Sequence, residues 1–246
     1  MNESDLFIQP DWPAPKNVKA VSTTRVGGVS EGVWNSLNLG DHVNDNPLHV
    51  AENRKRLAQA LALPNEPLWL KQVHGIDVAG EDVLEQGFCA DARISKIANQ
   101  VCVVMTADCL PALICDRRGK QVAAVHAGWR GLVSGILEQT VSQFEAEPDE
   151  LLVWLGPAIG SKAFEVGEEV RDAFVAHQED AYQAFVSNRS GHYLANIYML
   201  AKQRLNRAGV DAIYGGDHCT YTEEERFFSY RRDGETGRMA SLIWML

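Results

Sequence analysis

The sequence predicts a mixed α+β protein. Two observations carry that reading. Short apolar and β-branched runs stand beside turn signals, so some strands are hairpin neighbours. Between them lie longer stretches with apolar residues at helical spacing. The chain has 246 residues, 46 % of them hydrophobic, enough to bury a full core. No repeat, low-complexity tract or Gly/Ser-rich linker marks a boundary, so residues 1–246 are expected to form one domain.

The elements follow in order. VKAVSTT, residues 18–24, reads as a strand by its β-branched content. TRVGGVSEG and WNSLNLGDHVNDNP read as loops. Residues 48–62 are expected to be helical: Val50, Leu57 and Leu61 share a face, with Asn53 and Arg54 beside it. Pro47 stands where a helix start tolerates proline. PLWLKQVHG, residues 67–75, reads as a short strand ending in His74, and VCVVM, 101–105, as a buried one.

TADCLPALICDRRGKQVAAVHAGWRG, residues 106–131, reads as a hairpin in which PALIC and VAAV flank the turn RRGK. Residues 129–144 then predict one helix, with Leu132, Ile136, Val141 and Phe144 toward the core. LLVWLGPAIG is a strand running into a turn. FEVGEEVRDAFVAH and YLANIYMLAKQRLNRAG predict amphipathic helices, the second closed by Gly209. AIYGGDHCTY suggests a further strand. FFSYRRDGETGRMASLIWML suggests a hairpin turning at RDGETGR and a closing strand. The order of the strands is not legible at this level.

Charge narrows the partners. The formal net charge is −10, which repels nucleic-acid phosphates and anionic lipid; a local basic pocket for a small anion stays open. MNESDLFIQPDWPAPKNV has no basic start and no long apolar run, so no signal peptide is expected. No run approaches the roughly 18 apolar residues of a membrane span. A cytoplasmic protein is expected. Five cysteines at scattered spacings do not make a disulfide framework. Cys102 and Cys115 lie in apolar strands and read as core.

Cys109 differs, because it follows Thr-Ala-Asp and precedes Leu-Pro. Cys109 and His126 are nearly equidistant from the turn centre at Arg118, so folding brings them opposite each other within one or two residues of register. His74 could end a neighbouring strand. Two imidazoles and a thiolate are zinc ligands, and three protein ligands leave a position for water or substrate. The same donors accept Cu2+. Spacing alone leaves a second reading open, in which Cys109 is a nucleophile activated by His126. Asp108 could orient a ligand or accept a proton, or serve the turn. Trp129-Arg130-Gly131 opens the next helix, where an anion would meet the Arg130 guanidinium. A binding module with a vestigial pocket is the non-enzymatic alternative.

STTRVGGVS, SLNLG, NRKRL, KQVHG, MTADCLP, AVHAGWRG, WLGPAIG, FEVG, DHCTY and FFSYRRDGETGR occur in order from about residue 10 to the C-terminus. Together they resemble the bacterial YfiH family, also called the laccase-domain or multicopper polyphenol oxidase family. The resemblance is nearest to the enterobacterial members. It implies an αββα four-layer sandwich with mixed sheets, like that of a cysteine hydrolase, the catalytic domain of cytotoxic necrotising factor. It also implies metal ligands at His74, Cys109 and His126.

Three activities come with the resemblance. One is phosphorolysis of adenosine, inosine, guanosine or methylthioadenosine, with adenosine deamination. Another is editing of peptidoglycan precursors, removing a wrong amino acid from a UDP-MurNAc-amino acid. The third is copper-dependent polyphenol oxidation. The last is disfavoured: resemblance to true four-copper oxidases would require a few more histidines, many of them in His-x-His pairs, and this chain has seven histidines and no such pair.

In phosphorolysis, Arg25, Arg54 and Arg130 would hold phosphate, whose oxygens match the guanidinium fork. In deamination, Asp108 would move a proton. In amide editing, Cys109 could attack directly. Asn38 and Gln72 are expected either to contact substrate or to brace loops. Arg231 and Arg232 either reach the pocket or pair with surface carboxylates.

Overall fold

The computed structural model describes residues 6–246. β1 (Phe7–Ile8) and β2 (Val18–Thr23) pair antiparallel and are followed by α1 (Pro47–Ala60). Next come β3 (Val78–Ala79), β4 (Ala92–Ser95), β5 (Cys102–Thr106), β6 (Leu110–Asp116) and β7 (Val122–Ala127). α2 (Trp129–Ser134) and α3 (Ile136–Val141) lead to β8 (Leu151–Leu155) and β9 (Glu165–Gly167). The remainder is α4 (Glu168–His177), β10 (Phe185–Arg189), β11 (His192–Ala195), α5 (Ile197–Arg207), β12 (Ala212–Gly215), α6 (Tyr230–Asp233) and β13 (Met239–Met245).

One sheet has the order β1-β2-β13-β5, a second β12-β8-β6-β7-β4-β3, and a small third β10-β11-β9. The second is mixed, since β3–β4 and β8–β12 are parallel and the rest antiparallel. The period-2 alternation of side chains decides the layering. Cys102, Val104, Leu113, Cys115, Val122, Ala124, Trp154 and Ile243 meet between the two large sheets. The opposite parity of the first sheet, Val103, Met105 and Leu242, packs against Leu57 of α1. The opposite parity of the second, Ala112, Ile114, Ala123 and Val125, packs against Leu132, Ile136, Phe174 and Leu200 of the helices. The result is helix, sheet, sheet, helix. Among the described residues no helix is long and apolar enough to cross a membrane.

Most strand expectations hold, as do α1 with Pro47 in its first turn and Gly209 beyond α5 at φ +88°. Four expectations need correction. Residues 67–75 form no ladder, only a single bridge from Lys71 to Cys89. There the Gln72 carboxamide pairs with both the N–H and C=O of Met105, doing with a side chain what a strand would do with its backbone. The helix expected over 129–144 breaks at Gly135, whose φ of +100° closes α2 and opens α3. The starts of the next two expected helices are strands instead: β9 pairs with β11, and β11 with β10. The late hairpin at RDGETGR is absent. Tyr230–Asp233 forms a helical turn capped by the Ser229 hydroxyl, which accepts from the Arg232 N–H.

Candidate metal centre

The hairpin register sets the site. Leu110 pairs with Ala127 and Pro111 with His126, so Cys109 lies just before the start of β6 and two positions from direct opposition to His126. His126 shares the strand parity of Val122 and Ala124, which face the layer between the large sheets. Its ring is buried at the rim of that layer. His74 arrives from the irregular 67–75 segment with φ +61°, a left-handed conformation in a non-glycine residue.

The ligand atoms of His74, Cys109 and His126 all lie within 4.8 Å of one another, and Cys109 Sγ is 3.9 Å from His74 Nε2. Tetrahedral zinc, with bonds of about 2.0–2.3 Å, spaces its ligands about 3.5 Å apart. The donor set and its spacing therefore fit a metal ion after small side-chain movement. Gly128 closes the cradle. A Cβ there would stand 2.9 Å from His74 Cδ2 and 3.1 Å from Cys109 Sγ, so any side chain would press on the donors.

Asp91 is fully buried beneath the site. Its Oδ1 accepts from His126 Nδ1 at 2.7 Å and from the His74 N–H at 2.9 Å. Its Oδ2 accepts from the N–H groups of Val73 at 3.1 Å and Gly75 at 2.7 Å. Sequence reasoning did not find Asp91. Its only signal is an acid directly before the buried run of β4.

Electrostatics pair the thiol with an imidazole. Burial alone would push the Cys109 thiol up, but the His126 imidazolium, its hydrogen bond and His74 outweigh it and bring the thiol to about 6. Burial would lower His126, but the Cys109 thiolate and the Asp91 carboxylate raise it to about 9. Burial also opposes ionisation of Asp91, and the His126 and Gly75 hydrogen bonds hold it below its usual range all the same. Burial pushes Cys102 to about 12 despite the nearby Arg93 guanidinium, and burial beside Asp116 pushes Cys115 to about 12.

The other expected site residues divide. Asp108 adjoins Cys109 at φ +91°, yet its oxygens are taken by the Thr220 hydroxyl and the Arg231 N–H, each at 2.6 Å. It ties the site to the chain's last segments. Asn38 is fully buried, accepts from Gly40 and Arg238 N–H groups and donates to Gly40 O and Asp45, which is loop bracing. Gln72 braces Met105 as described.

Arg54 donates to Leu39 O, contacts Asp41 and lies over the Trp69 ring, on a cleft of about 770 Å³ shared with His42, Lys71 and Gln72. Arg25 donates to Asn35 O and Glu224 O and lines a separate cleft of about 640 Å³ with Arg232 and Asp233. Arg130 is exposed and stacks on Trp129, two residues from Gly128. Arg231 donates to Glu165 O and Arg232 to Thr220 O and Phe227 O, so both brace backbone. Arg238 was not singled out, yet it lies within electrostatic reach of Cys109 and Asp108.

Comparison with known proteins places the chain among relatives that match it along nearly its whole length. The chain is 59 % identical over 243 residues to the purine nucleoside phosphorylase YfiH of Shigella flexneri, covering 98 % of this chain and 99 % of the relative. It is 55 % identical over 242 residues to a purine nucleoside phosphorylase of Pseudomonas aeruginosa, at 98 % and 99 % coverage. Among solved structures, a Neisseria meningitidis protein superimposes with a TM-score of 0.94 at 51 % identity, over 97 % of this chain and 98 % of that one. YlmD of Geobacillus stearothermophilus superimposes at 0.90 and 29 % identity, over 100 % and 98 %. The family model described as multi-copper polyphenol oxidoreductase laccase matches residues 19–246, and this chain belongs to that family.

Proposed function

We propose that the protein is a metal-dependent purine nucleoside phosphorylase that also deaminates adenosine. The observation that carries this reading is the convergence of His74, Cys109 and His126 on one small volume beside a glycine that keeps it open. The names of the full-length relatives point to the same chemistry.

In this reading the C1′–N9 bond of adenosine, inosine, guanosine or methylthioadenosine breaks. A phosphate oxygen bonds to C1′, and the purine leaves with a proton. The exposed Arg130 guanidinium, two residues along the chain from Gly128, receives the phosphate; Arg238 adds positive charge on the Cys109 side. Arg25 and Arg54 line two separate clefts, neither of which includes the three donors in its lining, and offer further phosphate or sugar contacts there. A bound Zn2+ or Cu2+ supplies Lewis acidity at the three donors. Among the described residues this is the one such ligand group, which suits a single ion and not a four-copper oxidase.

A second reading is favoured by one feature. Cys109, His126 and Asp91 line up as thiolate, imidazolium and carboxylate, the array of a thiol nucleophile. In that case the protein is an amidase that edits UDP-MurNAc-amino acid precursors, and Cys109 attacks the amide carbonyl.

The test is product analysis of purified protein with adenosine, with and without phosphate and with and without chelator. Adenine and ribose-1-phosphate are expected only with phosphate and are expected to vanish with chelator. Inosine formed without phosphate is the expected sign of deamination. Cys109→Ala is expected to abolish both, and full activity in that variant would overturn the site assignment. No product under any condition would leave the amidase reading.

A further inference from the structure

Asp91 touches both histidine ligands by different routes. Its hydrogen bond to His126 Nδ1 places the proton on that nitrogen and leaves Nε2 for the centre. Its bonds to three successive N–H groups, Val73, His74 and Gly75, hold the loop that presents His74. The His126 N–H also donates to the Asp91 carbonyl at 2.7 Å, so the acid's own backbone is pinned to the strand it serves. A carboxylate has about four lone-pair positions, and this one meets four donors. A buried carboxylate just before β4 is thereby saturated by groups that all serve the cluster.

We propose that Asp91 is the positioning residue of the centre, setting the tautomer of His126 and the backbone of His74 at once. The proposal rests on the metal-centre reading. It predicts that even an isosteric amide fails, for a reason specific to the geometry. An Asn at 91 must put its NH2 on one of the two oxygen positions. Placed at the Oδ1 position, it faces His126 Nδ1 and the His74 N–H. His126 must then accept at Nδ1 and carry its proton on Nε2, the nitrogen on the Cys109 side. Placed at the Oδ2 position, it confronts the Val73 and Gly75 N–H groups, and the His74 loop loses its anchor. Either orientation costs one histidine ligand. Neither disturbs Cys109, which Asp91 does not touch.

Metal binding tests this without any substrate, so its failure is separable from failure of the phosphorylase reading. Zinc affinity is measured by competition with a chromophoric chelator for wild type, Asp91→Asn and Cys109→Ala. The expected loss in Asp91→Asn is roughly 10–100-fold, the range for outer carboxylate partners of metal-bound histidine. With cobalt as probe, the thiolate-to-metal charge-transfer band is expected to persist in Asp91→Asn and to vanish in Cys109→Ala. The ligand-field bands of Asp91→Asn are expected to weaken as water replaces a histidine.

Unchanged zinc affinity with an unchanged cobalt spectrum would overturn the proposal. A wild-type chain that binds neither metal would overturn it together with the metal-centre reading. Should Asp91→Asn fail to fold, nitrogen-15 NMR of the zinc-loaded wild type decides the matter. The expected result is His126 protonated on Nδ1; protonation on Nε2 overturns the proposal.

Discussion

Cys109 and His126 form a thiolate–imidazolium pair in the metal-free protein, and this sets its pH behaviour. Cys109 is held below its ordinary value of 9.0, at about 6, so its contribution to stability is complete above 9 and is lost as pH falls through 6. His126 is raised from 6.5 to about 9, so its contribution is complete below 6.5 and is lost as pH rises through 9. Together the folded pair releases its protons near 6 and near 9, against 6.5 and 9.0 in the unfolded chain, so the two contributions trade off: this pair is expected to leave metal-free stability nearly flat above pH 6.5 and slightly lower below 6. In an absorbance titration at thiolate wavelengths, wild type is expected to show a step near pH 6 that Cys109→Ser lacks; a first step near pH 9 would contradict the pairing. His74, Cys109 and His126 were legible as candidates because the two histidines close apolar runs shortly before a glycine and Cys109 stands between Thr-Ala-Asp and Leu-Pro. Asp91 was not legible. A single acid before a strand reads as a turn residue until its four donors are seen together.

Among the elements, the stretch around Gln72 shows where local pattern misleads. Leu68, Trp69 and Leu70 are all buried, so the run looks like a strand, but its neighbours leave it no ladder. The Gln72 carboxamide replaces two backbone bonds with two of its own, each 2.8 Å long, to Met105. Gln72→Ala leaves the Met105 N–H and C=O without these partners and is expected to cost about 1–3 kcal/mol. The check is the midpoint of denaturant unfolding. An unchanged midpoint with a raised KM would instead assign Gln72 to substrate. The break at Gly135 was hidden for a different reason. Apolar spacing continues across it, and only the left-handed backbone at that residue divides α2 from α3.

Over the whole molecule, the last strand is the middle of a sheet. β13 lies between β2 and β5 and pairs with both along its length. Its Ile243 and Met245 face the inter-sheet layer, while Ala240, Leu242 and Trp244 face the α1 side. Removing residues 239–246 leaves two edges where a centre stood and strips both layers of their contacts. Such a chain is expected to lose its cooperative thermal transition; a retained transition near the wild-type temperature would refute this account of the core.

The sequence by itself determined the α+β class, the central hairpin and helix α1, because these rest on local period and turn chemistry, and it offered His74, Cys109 and His126 as candidate donors by side-chain type. The resemblance carried by the motifs added the four layers. Only the tertiary structure decided the strand order, the small third sheet and the placing of Arg25 and Arg54 in separate clefts. It also brought Asp91 into contact with both histidine segments. Those features depend on which distant segments meet, and pairing between distant segments leaves no period in the chain.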